Sequence, residues 1–419
     1  MAAITGQFLQ WWTKSDLSLL LQAEHRLLSA LVRHPFHKPS NNRLERDSTG
    51  GNGHNGINVV EFRAKESAGH KSKPTVVLAH GFGSGLGFFY NNIDGLLNSG
   101  KISRVVCVDW LGMGGSARPS CWESPVRSIF SGFGHSSGNS PSRFSLCNSI
   151  YTPSRAVDFF LDPFDRLLTG QGALFRKGEP LWLVGHSLGG YLAARYAMRI
   201  NRRQQSATSS REDTTTSPNL EKLILASPVG FQPLSPEDRI PSSSLPTALR
   251  LVDALWNANF TPQSIVRIMG SSRGRQAAKR ALRGRIPHLN SQCSDLLAEY
   301  LYHITVAPAS GEYAMNSLLE PAATGEGAGV YAREPLGGGV MTGHFICDNS
   351  WERGRSLHSV KVLFGDNDWM HFHEPSARKE MESLTDASGI DTSVHLVPGA
   401  GHHLYLDNPE SFLKHVLED

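Results

Sequence analysis

Leu181-Trp-Leu-Val-Gly-His-Ser-Leu-Gly-Gly190 decides the reading of this chain. Four apolar residues suited to a buried strand run straight into Gly185, Ser187 and Gly189, and residues 191–198 continue with helical spacing. A serine on such a turn forms a nucleophile elbow, G-x-S-x-G, which needs small neighbours because the backbone is strained and a nearby Cβ would collide. The helix that follows directs its N-terminal amides at the same place and favours negative charge there. Ser187 is therefore the candidate nucleophile, with Gly185 and Gly189 as the elbow glycines.

Similar strand-sized runs lie on either side. They are Thr75-Val-Val-Leu-Ala79, Val105-Val-Cys-Val-Asp109, Leu223-Ile-Leu-Ala226, Val360-Lys-Val-Leu-Phe364 and Thr392-Ser-Val-His-Leu-Val397. Apolar strands separated by helical stretches predict an α/β fold with a mainly parallel sheet and helices on both faces. Functional groups then belong at the carboxyl ends of the strands. His80-Gly-Phe-Gly83 follows the first of these runs, and there the N–H of Phe82 would join that of Leu188 as an oxyanion hole.

A serine needs a base within hydrogen-bond reach. His402, directly after Gly399-Ala-Gly401, fits that position, and its neighbour His403 is the competitor. The base in turn needs an acid to fix its tautomer. Gly365-Asp-Asn-Asp-Trp-Met370 offers Asp366 and Asp368; Asp368 is preferred, and Asp366 is given the shaping of the turn. The order Ser187, Asp368, His402 is that of a nucleophile-elbow hydrolase. His371 and His373 lack a carboxylate set at ligand spacing, so neither a metal nor a cofactor is expected.

The 419 residues are 39% hydrophobic and 19% charged, enough for one large core or a core with an appended domain. A net charge of +3 gives no argument for a nucleic-acid partner. Five scattered cysteines form neither a disulfide framework nor a metal motif, and a reducing, intracellular, cytoplasmic setting is expected. No apolar run is long enough to span a bilayer, and charges interrupt the first 36 residues where a secretory leader would be apolar.

Residues 1–36 nevertheless carry Phe8, Leu9, Trp11, Trp12 and a leucine-rich run at helical spacing. That pattern fits both an amphipathic helix in a membrane interface and a helix packed on the main domain. Residues 37–58 read as a linker, 59–231 as the first part of the core, 232–358 as a helical lid and 359–419 as the second part of the core. Residues 119–153 and 202–219 read as low-complexity insertions within the first part. In the lid, helical stretches are expected at 245–258, 261–269, 273–285 and 293–306. The third carries Arg273, Arg275, Lys279, Arg280, Arg283 and Arg285, which suit an anionic headgroup or a solvated face.

Several further segments carry a family resemblance. They include Ala23-Glu-His-Arg-Leu-Leu28, Val108-Asp-Trp-Leu-Gly-Met-Gly-Gly-Ser116, Leu255-Trp-Asn-Ala-Asn-Phe-Thr-Pro262, Tyr300-Leu-Tyr-His-Ile304 and residues 365–370 and 401–409. With the elbow, these resemble the α/β-hydrolase domain-containing 4 and 5 branch, which includes plant lysophosphatidic acid acyltransferase/phospholipase proteins and fungal cardiolipin deacylases. The resemblance implies the α/β-hydrolase fold with a helical lid, and a serine hydrolase that cleaves acyl esters of phospholipids or lysophospholipids through an acyl-enzyme. It also implies peripheral association with membranes, lipid droplets or mitochondria, and transfer of an acyl group, with acyl-CoA as a candidate donor. The alternatives are a non-enzymatic lipase coactivator and a hydrolase of small non-lipid esters. The branch's H-x-x-x-x-D pattern falls on His402 and Asp407; Asp407-Asn-Pro-Glu410 also reads as a helix start with Asp407 as its cap.

Overall fold

The computed structural model describes residues 2–38, 56–64, 73–119, 152–170, 173–210, 218–325, 327–346 and 356–418. Its elements run α1 (Ala2–Thr13), α2 (Leu17–Leu31), β1 (Phe36–His37), β2 (Val59–Arg63), β3 (Thr75–Ala79), α3 (Tyr90–Asn98) and β4 (Arg104–Val108). They continue with α4 (Pro153–Thr169), β5 (Pro180–His186), α5 (Leu188–Ser210) and β6 (Asn219–Ala226). Next come α6 (Thr247–Asn257), α7 (Pro262–Arg285), α8 (Ser291–Val306), α9 (Gly311–Leu318), β7 (Leu319–Thr324), β8 (Gly327–Ala332) and α10 (Val340–Phe345). The chain closes with β9 (Ser359–Gly365), α11 (Glu374–Ser388), β10 (Asp391–Val397), α12 (Leu404–Asp407) and α13 (Pro409–Leu417).

Eight strands form one sheet in the order β1-β2-β4-β3-β5-β6-β9-β10. β1 and β2 pair antiparallel at one edge, and every pairing from β4 to β10 is parallel. Successive residues of a strand face opposite sides, so each strand feeds two cores. Val77, Ala79, Val106 and Val108 point into a core closed by α4, α5, α9, α10 and α11. Val76, Leu78, Val105 and Cys107 point into a second core closed by α2, α3, α7, α8, α12 and α13. With both faces covered, the strands read as continuous apolar runs.

The two helices of the N-terminal segment are placed differently. α2 is packed on the domain: Asp16 caps it by accepting from Leu19 N at 2.8 Å, and Leu20, Ala23, Leu27 and Leu28 make a buried stripe at helical spacing. α1 keeps its aromatics outside, with Phe8 60%, Trp11 70% and Trp12 42% exposed. On α7 it is held by Trp12, whose Nε1 donates to the Ile268 carbonyl at 3.1 Å and whose indole lies against Gly270, and on α8 the Tyr302 hydroxyl donates to the Thr13 carbonyl. Gly270 has φ +73° and ψ −176°, so α7 consists of two helical runs joined at a kink. No helix among the described residues is long and apolar enough to cross a membrane.

Several boundaries differ from those the sequence led us to expect. The 37–58 linker contributes His37 to β1 and the buried Ile57 and Asn58; of the rest, 39–55 lie outside the described residues. Of the 119–153 insertion, 120–151 lie outside the described residues, while Thr152 caps α4. In the 202–219 insertion, α5 continues to Ser210 and β6 starts at Asn219, while 211–217 lie outside the described residues. The 232–358 stretch, expected to be helical, contains an antiparallel β7-β8 hairpin as well as helices. Its alternating pattern is too weak to read in a stretch of Gly, Ala and Pro.

Candidate active site

β5 ends at His186 and α5 begins at Leu188, so Ser187 occupies the bend alone. It holds φ +55°, a region that costs a non-glycine residue energy and is kept only where surrounding contacts enforce it. Ser187 N donates to the Ala226 carbonyl at 2.9 Å, tying the turn to the end of β6. A Cβ on Gly185 would fall 2.3 Å from the Gly189 carbonyl oxygen, and one on Gly189 would fall 2.4 Å from the His80 oxygen. Backbone meets backbone at both places, which explains the two glycines physically.

His402 follows β10 and Asp368 follows β9. His402 Nε2 lies 3.0 Å from Ser187 Oγ, and His402 Nδ1 lies 3.0 Å from Asp368 Oδ1. With Nδ1–H donated to the carboxylate, Nε2 is left as the acceptor for the serine proton. Asp368 is buried, which pushes its pKa up, but His402, the Ser227 hydroxyl and the Met370 N–H together hold it below the usual carboxylate value. Asp366 takes the turn-shaping place, accepting from Gly399 N at 3.0 Å across the ends of β9 and β10.

The competitor His403 points the other way, into the second core among Phe88, His186 and Tyr405. Burial holds it neutral, far below the ordinary histidine value. His186, the unspecified residue of the elbow pattern, was not singled out from sequence. Its Nε2–H donates to the His402 carbonyl at 2.8 Å, and burial lowers its pKa to about 3, keeping it a neutral donor. It thus fixes the backbone from which the His402 ring projects. Trp369, 56% exposed, packs its ring 5.0 Å from that of His402.

Phe82 and Leu188 are the two expected oxyanion donors, and among the described residues neither N–H has a hydrogen-bond partner. The Phe82 loop is held from below: Trp110 Nε1 donates to the His80 carbonyl at 2.8 Å, and Ser84 Oγ donates to that of Gly81 at 2.9 Å. His80 is itself buried, 3.2 Å from Asp109. Asp109 accepts from Leu86 N, Gly115 N and Asn58 Nδ2. The same Asn58 amide reaches Glu24 of α2 at 2.8 Å, and Lys38 caps the series with an ion pair to Glu24 at 2.8 Å. Burial and then the charge of Asp109 push Glu24 up to about 7.

Asp407 does not cap α13; Asn408 does, accepting from Ser411 N at 3.0 Å. Asp407 instead accepts from Gly401 N at 2.9 Å, under the loop that carries His402, and burial raises its pKa. Asn408 takes the cap because the preceding Asp407 is still the last residue of the short α12. His373 accepts from Gln232 N and donates to the Val330 carbonyl, a structural role. The basic run of α7 is partly neutralised by α8, with Arg275 paired to Glu299 and Lys279 to Asp295.

Residues 76–415 match the profile of the alpha/beta hydrolase family. A probable 1-acylglycerol-3-phosphate O-acyltransferase of Oryza sativa subsp. japonica is 29% identical over 85% of this chain and 68% of its own length. The 1-acylglycerol-3-phosphate O-acyltransferase of Arabidopsis thaliana is 28% identical over 97% of this chain and 81% of its own. A (lyso)-N-acylphosphatidylethanolamine lipase of Mus musculus is 24% identical over 82% and 78%. These relatives fall in the branch that the sequence resembles. By its matched length, its sheet and its elbow, the chain belongs to the α/β-hydrolase family.

Proposed function

We propose that the chain is a serine hydrolase that cleaves acyl esters of phospholipids or lysophospholipids. The observation that carries this reading is the continuous relay from Ser187 through His402 to Asp368, 3.0 Å at each step. Ser187 Oγ attacks the acyl carbonyl while His402 Nε2 takes its proton. The tetrahedral oxyanion is held by the unpartnered N–H groups of Phe82 and Leu188. When the C–O bond breaks, His402 returns the proton to the departing alcohol and the acyl group stays on Ser187. Attack by water, activated by the same histidine, releases a fatty acid. A lysophospholipid hydroxyl in place of water gives acyl transfer from the same intermediate, and acyl-CoA would serve as an alternative acyl donor.

A lipid substrate is supported by the compounds named for the relatives and by the apolar outer face of α1 and α7. There Phe8, Trp11, Trp12, Ile265, Ile268 and Met269 are all exposed, a composition suited to peripheral contact with a membrane or lipid droplet. The intact relay leaves the coactivator reading without an observation in its favour.

The test combines labelling by a fluorophosphonate with release of oleate from 1-oleoyl lysophosphatidic acid. Wild type is expected to be labelled and active, and Ser187→Ala to lose the label and at least about 10⁴-fold in kcat. Equal labelling of the two proteins, or no labelling of folded wild type, sinks the proposal.

A further inference from the structure

Beside the Phe82 loop lies a small cleft, partly open to solvent. Its walls include Phe82 and Gly83 after β3, Arg118 after β4, Gln263 and Arg267 on α7, Thr305 on α8 and Glu312 on α9. The relay does not use it, yet it shares Phe82 with the oxyanion site.

The two arginines differ in what already satisfies them. Arg267 is fully engaged, bidentate to Glu312 at 2.7 and 3.0 Å and donating to the Ala307 carbonyl at 2.9 Å. Arg118 is pinned by two backbone carbonyls, those of Ser116 at 3.1 Å and Gly114 at 2.8 Å. Among the described residues no carboxylate forms an ion pair with Arg118, and its Nε–H is buried without an acceptor. Burial, then repulsion from Arg267, lowers its pKa to about 10, so it keeps its charge at neutral pH. Gln263 Oε1 is also buried without a partner, and its amide faces the Phe82 loop, with Nε2 3.6 Å from where a Cβ on Gly83 would sit.

Asp109 and Glu312 attract the Arg118 charge from a distance without pairing with it, while a buried Nε–H without an acceptor and a buried carbonyl without a donor are both costly unless a ligand completes them. A ligand that completes both carries an anion of several acceptor oxygens, matched to a guanidinium fork, and a hydroxyl a few bonds away. A glycerol phosphomonoester has both. We infer that this cleft recognises the phosphomonoester headgroup of a lysophospholipid, Arg118 holding the phosphate and Gln263 the glycerol hydroxyl. This rests on the lipid-ester reading above and adds the residues that select the substrate. Seated there, the headgroup brings the acyl ester toward the Phe82 N–H.

The test compares kcat/KM for 1-oleoyl lysophosphatidic acid with that for 1-oleoylglycerol, both dispersed in detergent, using the full chain. Arg118→Gln is expected to lower this ratio at least tenfold, mainly through KM of the phosphorylated substrate. Arg118→Lys, which keeps charge without the fork, is expected to fall between, and Gln263→Ala to lower the ratio a few-fold. A ratio within twofold of wild type in every variant that folds overturns the inference. Because Arg118 also braces a loop, Arg118→Lys and Gln263→Ala carry the test if Arg118→Gln does not fold. If wild type hydrolyses neither ester, the proposed function fails, and calorimetric binding of sn-glycerol 3-phosphate to wild type and Arg118→Lys still decides this site. Weaker binding by the variant supports it, whereas equal binding or none removes it. In competition, sn-glycerol 3-phosphate is expected to outdo inorganic phosphate at least fivefold; equal competition would leave a simple anion site and end the headgroup assignment.

Discussion

The elbow and the seat of α1 on α7 are both tight contacts, built in opposite ways. At the elbow, main chain presses on main chain, and Gly185 and Gly189 leave no room for even one extra carbon. At the α1 seat, a single indole rests on Gly270, and the apolar residues around it face outward. The first contact fixes the position of the Ser187 side chain. The second fixes only where a surface is presented, so its side chains are free to vary with whatever they meet. Precision is concentrated at the Ser187 relay, and adaptability where bulk surface is offered.

Three changes test that contrast. The largest effect is expected from Asp368→Asn, which preserves the shape of the relay and removes the acceptor that sets the His402 tautomer. Turnover of a short-chain ester should fall about 10³ to 10⁴-fold, with the melting temperature little changed. A loss below tenfold would mean that the carboxylate is dispensable to the relay. Next, Gly189→Ala forces a Cβ against the His80 carbonyl and should cost about 3 kcal/mol in urea unfolding. Stability within about 0.5 kcal/mol of wild type would show that the elbow has slack. The smallest effect on folding is expected from Phe8→Ser combined with Trp11→Ser. Stability should stay within about 0.5 kcal/mol, while sedimentation with anionic phosphatidylserine vesicles drops several-fold. Unchanged sedimentation would separate this face from any lipid role.

The reacting groups were legible because strain restricts what a sequence can place there. Ser187 stands between two glycines that the backbone contacts require, Asp368 follows the buried run of β9, and His402 follows the glycine loop after β10. Neighbours of the same chemistry, Asp366 beside Asp368 and His403 beside His402, are told apart only by where the folded loops aim them: Asp368 and His402 lie in hydrogen-bond line with Ser187, and Asp366 accepts from Gly399 N. Other features leave no comparable trace. His186 does its work through a hydrogen bond to a backbone 216 residues away, which no local pattern encodes. β1 has two residues and β2 five, too short for periodicity to stand out beside a polar stretch. The cap went to Asn408 rather than Asp407 because adjacent residues of similar chemistry compete for one position, and only the bend after α12 decides between them. Arg118 looks like any loop arginine until α7 folds over it.

The buried polar series Glu24, Asn58, Asp109 and His80 links the N-terminal helix α2 to the strand end from which the Phe82 loop departs. Such a link makes α2 an internal strut rather than a detachable leader. A chimera that borrowed the sheet and relay from this chain but took its first helix from another source would strand an acid or an amide in a dry interior. These four positions therefore have to travel together through recombination, and the freedom to exchange segments begins only upstream, at α1.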